Sequence, residues 1–158
     1  MSKYTDKNAL YNKNLKDLLN DLLGVKRRSL ESADLKVGSN DAEKLKHENV
    51  DVIVDGEFKT ISSAEVDFTA TDHNVDEGYK AVFTLSHDGD STHAITKGET
   101  VERAEDAEAP ATPKDHVKLG EVEIDAEDTD FVAGTTALSN GDLNVTYTNK
   151  TDVIEPIS

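Results

Sequence analysis

The chain is 158 residues long and carries 17 Lys and Arg against 33 Asp and Glu, a formal charge of −16 at pH 7. Such a surface repels nucleic acid and anionic membranes, which select binders rich in Lys and Arg, so the expected partner is another protein. Hydrophobic residues make up 35% and Trp and Cys are absent; a neighbouring subunit or a host assembly is expected to complete the thin core, and thiol catalysis, disulfide staples and cysteine zinc sites are excluded.

The opening residues Met1–Asp6 lack the apolar stretch of a secretory signal, and no run approaches the roughly 18 apolar residues of a membrane span. The chain is therefore expected to be made and kept in soluble form. Residues 5–23 read as a helix, with Thr5 or Asp6 as its cap and Gly24 as its stop. Tyr11, Leu15, Leu18 and Leu22 form a coiled-coil type of seam that Leu19 and Leu23 widen and Asn8 interrupts. That seam serves either self-association or packing on the chain's own sheet. Lys26, Arg27 and Arg28 follow as the one basic cluster, which either offsets the carbonyl end of the helix or docks on an acidic partner. Residues 1–33 are thus expected to be a helix with a basic connector, and residues 34–158 a β domain.

Strand patterns begin after residue 34. Val50, Val52 and Val54 share one face, with Asp51 and Ile53 on the other; Asp55-Gly56 makes a turn, and Phe58 and Ile61 begin the return. Val66 and Phe68 alternate within residues 64–70. Ala81, Phe83 and Leu85 line a further strand up to a two-residue turn at Asp88-Gly89, with Ala94 and Ile95 returning towards Gly98. Residues 102–115, acidic and rich in Ala and Pro, read as a linker or surface loop. Alternation resumes at Val117, Leu119, Val122 and Ile124, then Phe131-Val132, Leu138, Val145 and Tyr147, room for three strands. The expected architecture is mainly β, an antiparallel β-sandwich or small barrel with an N-terminal α-helix.

The runs Val117-x-Leu119-Gly120-x-Val122-x-Ile124, Phe131-Val132-x-Gly134-Thr135-Thr136-x-Leu138 and Val145-x-Tyr147, with Pro110–Pro113 ahead of them, resemble a stretch of tailed-bacteriophage virion structural proteins. Lys36-Val37-Gly38, Ala42, Val50-x-Val52, Asp55-Gly56, Phe58 and Phe68-Thr69-Ala70 are similar to the upstream part of the same proteins, so the likeness spans about residues 34–148. The resemblance implies a non-enzymatic head decoration or cement protein, a homotrimer on the capsid surface whose partner is the major capsid protein, made in the host cytoplasm. On this reading Tyr11, Leu15, Leu18 and Leu22 carry self-association, and Lys26, Arg27 and Arg28 contact the lattice. A tail, neck or fibre adaptor is the alternative, and a carbohydrate-binding β module ranks third because exposed aromatics are few.

Neither a catalytic set nor a cofactor is expected. His87-Asp88-Gly89-Asp90-Ser91-Thr92-His93 invites a metal reading, but a two-residue turn sets His87 against Asp90 and His93 near Thr84, so it is read as a turn. Asp125, Glu127, Asp128 and Asp130, with Glu121 and Glu123 before them, lack the Gly and Glu positions of an EF-hand and are read as a solvated loop. Gly134-Thr135-Thr136 has no phosphate-loop context and is read as a bulge or turn, and the triplets at Asn144 and Asn149 are discarded as glycosylation sites.

Overall fold

A computed structural model describes residues 27–69 and 71–149. The helix expected over residues 5–23, with Tyr11, Leu15, Leu18 and Leu22, lies outside the described residues, as does Lys26. The described chain is mainly β and antiparallel throughout, with helix confined to a single 3-10 turn at Thr71–His73. Its strands are β1 (Arg27–Ser29), β2 (Lys36–Val37), β3 (Leu45–His47), β4 (Val50–Val54), β5 (Glu57–Ile61), β6 (Ala64–Val66), β7 (Tyr79–His87), β8 (His93–Lys97), β9 (Val101–Glu102), β10 (Val117–Asp125) and β11 (Asn144–Thr148).

They form three sheets. The first is β1-β4-β5, the second β2-β3-β6, and the main sheet runs β11-β10-β7-β8 with β9 also on β7. None of these sheets closes on itself among the described residues, so the small-barrel expectation is corrected. Arg27 and Arg28 belong to β1, paired with Val54 and Ile53 of β4, and so lie in a sheet rather than in a connector ahead of the β domain.

Strand parity explains the core. Asp55 and Gly56, both at positive φ, make the tight β4–β5 turn, which sets Val50, Val52 and Val54 on one face and Asp51 and Ile53 on the other. In β7, Ala81, Phe83 and Leu85 face the same core. The four apolar positions of β10 change parity between Leu119 and Val122, and a bulge between Lys118 and Gly120 absorbs the change, so that all four stay buried. Gly120 lets Leu35 pack closely there, since a Cβ would lie 2.6 Å from Leu35 Cδ1 and push that side chain aside. Phe68, Phe83 and Phe131 meet edge to face, with centroids 5.3–6.2 Å apart, and His73 packs edge-on against Phe68 and Phe83.

One hydrophobic core draws on all three sheets and on both sides of the acidic loop. That loop lies against the second face of the main sheet: the Thr84 hydroxyl donates to the Pro110 carbonyl, and a Cβ on Gly98 would meet the Glu108 carbonyl at 2.4 Å. This contact accounts for the burial of Thr84, a polar residue on the face turned away from the core. Only two of the three strands expected after residue 116 form. Phe131 makes a lone bridge to Val75, and the Gly134-Thr135-Thr136 segment is a turn in which Thr135 and Thr136 both donate to the Val132 carbonyl.

Candidate functional site

The main sheet ends in a cluster of imidazoles that strand parity assembles. His87 continues the core-facing series Ala81, Phe83, Leu85, and His47 shares a face with the core residue Leu45. The β7–β8 loop is wider than a two-residue turn, running from Asp88 to Thr92, with Asp88 donating to the Thr92 carbonyl. His87 and His93 are therefore direct cross-strand partners, with ring centroids 4.4 Å apart, which overturns the expected offset. His93 also meets His47 of the second sheet, with centroids 4.9 Å apart and Nε2 atoms 2.8 Å apart.

The hydrogen bonds fix the tautomers. His47 Nδ1 donates to the Glu48 carbonyl at 2.7 Å, so in the neutral ring Nε2 is the acceptor and His93 Nε2–H donates to it. His87 Nδ1 accepts from Gly89 N–H at 2.9 Å. His47 is fully buried and His87 nearly so. Burial pushes His47 and His87 below the usual imidazole range, and burial with the neighbouring His87 and His47 pushes His93 down to about 4. His116 stands close enough to His87 to disfavour its charge, and both of its ring nitrogens are buried without a hydrogen-bond partner among the described residues. His47 was missed in the sequence because it lies on another hairpin; its parity with Leu45 was the available signal.

Among the described residues no group of three or more His, Cys, Asp or Glu stands in ligand geometry. The loop beside the imidazoles is built by Asp88, whose Oδ1 accepts from the backbone N–H of Asp90, Ser91 and Thr92, and these bonds hold its carboxyl well below the usual range.

The other sequence candidates fall elsewhere. Arg27 binds Asp55 through two nitrogens and lies 3.5 Å from Asp115, while Arg28 is 9% exposed. Arg103 gathers Asp125 and Glu127, at 2.7 and 2.8 Å, and Asp130 accepts from Glu77 N–H, so three of the four loop carboxylates are engaged. Asn149 accepts from Leu35 N–H.

One surface stands apart from this charged pattern. Register places Arg28, Ile53 and Phe58 in one row across the outer face of the first sheet, with Leu30 two residues beyond Arg28. Phe58 is 64% exposed and Leu30 42%. Phe58 lies on β5, which pairs only with β4 among the described residues. Compared with family profiles, with curated proteins and with solved structures, the chain matches none.

Proposed function

We propose that this chain is a non-catalytic virion structural protein, a head decoration or cement protein that binds the outer capsid lattice in several copies. The reading comes from the resemblance of residues 34–148 to phage structural proteins, and the observation that carries it here is the outer face of the first sheet. Phe58 and Leu30 are exposed beside Ile53 on an edge-strand surface of an otherwise carboxylate-rich molecule. An apolar centre with a charged surround suits a protein contact, and many modest contacts repeated over a lattice add up to firm attachment.

In this reading the first and main sheets form the layers of a β-sandwich, and the Leu-rich segment 5–23 is a helix that joins three copies. The partner is the major capsid protein. The test is a binding assay on capsids lacking the chain, with the oligomer size measured in parallel. Phe58→Ser with Leu30→Ser is expected to abolish binding while leaving the fold intact, and Leu15, Leu18 and Leu22 changed to Ser are expected to give monomers. Wild-type protein that remains monomeric and ignores such capsids overturns the proposal.

A further inference from the structure

We propose that the His47–His93 contact is an acid-sensitive clasp between the second sheet and the β7–β8 hairpin, closed at neutral pH and released as pH falls towards 5. The contact joins β3 to β8, strands of different sheets, and its 2.8 Å Nε2–Nε2 distance is that of one ring donating N–H to the bare nitrogen of the other. The bond has a defined polarity, because the Glu48 carbonyl holds the His47 Nδ1 proton and leaves Nε2 as the acceptor. A proton added at His47 Nε2 turns that acceptor into a second N–H and breaks the bond. A proton added at His93 Nδ1 keeps the bond but places an ion in a buried cluster against His87, which itself neighbours His116. Either route favours the opened arrangement, in which the rings regain water.

The surrounding charges do not reverse this. From β3 and its end, Glu48 is engaged with Lys36 and Lys46; from the hairpin loop, Asp90 pairs with Lys59, and Asp88 is held by backbone N–H groups. From the segment before β10, His116 shares a cleft with Arg27, Asp55, Lys114 and Asp115, where Arg27 is paired with both carboxylates. The carboxylates of Asp88, Asp90 and Glu48 favour the imidazolium forms, yet burial outweighs them at His47, His87 and His93 alike. Two further ties of the second sheet and its loops, Glu48 N–H to the Ala33 carbonyl and Leu138 N–H to the Ala42 carbonyl, are backbone bonds that do not titrate. The linkage makes the opened arrangement on the order of tenfold more populated at pH 5 than at pH 7.

Histidine NMR titration of the full chain and amide hydrogen exchange at pH 7 and pH 5 test the clasp. Expected are titration of His93 well below 6.5 and, after correction for intrinsic exchange, about a tenfold more populated local opening at Leu45–His47 at pH 5, with Phe83 and Val122 still exchanging only through global unfolding. His93→Gln retains a side-chain donor but cannot titrate, and is expected to reduce the pH dependence at β3 to the part that His47 carries. His73→Gln, outside the clasp, is expected to preserve it. Normal titration of His93, exchange of Leu45–His47 only through global unfolding at pH 5, or wild-type pH dependence in His93→Gln overturns the proposal. Should His93→Gln fail to fold, the two wild-type measurements decide.

Discussion

Strand β7 carries two ring clusters on one face. At Phe83 it contributes to a set of edge-to-face phenyl rings with Phe68 and Phe131; four residues on, at His87, it contributes to a set of imidazoles with His93 and His47. Both ends bury flat rings against a neighbouring element, but an imidazole also brings two nitrogens that must be satisfied and a proton that water will supply. The phenyl rings themselves carry no titratable proton, with His73 alone titrating at their edge, whereas the imidazole end is stable only while its rings stay neutral. Two clusters with similar packing thus give one molecule a fixed end and a conditional end.

The largest expected effect comes from breaking the fixed end. Phe83→Ala removes the ring that touches Phe68, Phe131 and His73 and leaves a cavity in the middle of the core, at a cost of about 3–5 kcal/mol. Urea unfolding at pH 7.5 and 5.5 is expected to give nearly the same loss at both values, differing only by what the changed burial of His73 contributes. A strongly pH-dependent loss would mean that the two ends are one cooperative cluster, and the contrast would fail.

Acidification breaks the conditional end. The folded imidazoles of His47, His87 and His93, and that of His73 beside the phenyl rings, hold protons less tightly than in the unfolded chain, burial being the first cause at each. Their contribution is therefore complete above about pH 7 and is lost as pH falls through 6.5 towards 4, by about 2 kcal/mol at pH 5. Asp88, together with Glu48 and Glu65, is depressed in the opposite charge sense and adds a further loss only in the carboxylate range. Equilibrium denaturation across pH 5–8 is expected to show the upper step; a flat profile there contradicts the assignment of neutral buried rings.

Much of this was legible from alternation alone. The β4–β5 hairpin, its Asp55-Gly56 turn and the core faces of β4 and β7 follow from period-two patterning, since a half-buried sheet enforces that period. The parity break in β10 was also visible, in Leu119 and Val122 lying three apart, and Gly120 marks where the bulge falls. What alternation did not supply was contact between hairpins. Treating Asp88-Gly89 as a two-residue turn shifted the β7–β8 register and separated His87 from His93, whereas the Asp88 side chain organises a wider loop. Glu102, the first residue of the 102–115 segment, ends β9, and the rest lacked a strand pattern because it lies over a sheet without joining it. His47 has no local motif, because a cluster drawn from strands some 40 residues apart exists only after the sheets pack.

Midway between the clusters, Gly120 pairs with Leu85 and lies under Leu35. Gly120→Ala places a methyl group against Leu35 Cδ1, and is expected to destabilise by about 1 kcal/mol once the flexible Leu side chain has moved. Thermal unfolding of this variant with Leu35→Ala as a second change sharpens the comparison. Relief of the clash in the pair, with unchanged acid sensitivity, shows that the middle of β7 transmits neither cluster's state to the other.

The smallest effect belongs to a phenyl ring outside both clusters. Phe58 has the same side chain as Phe83, yet 64% of it faces solvent and its cross-strand partner Ile53 lies on the outer face of the first sheet. Phe58→Ser is expected to change stability by less than about 0.5 kcal/mol, measured by urea unfolding of the isolated chain, because little packing is removed. The contrast with Phe83→Ala isolates burial as the source of the energy. A loss of several kcal/mol at Phe58 would mean that the isolated chain already covers that ring, and the outer face of the first sheet would then be core rather than a surface kept for a partner.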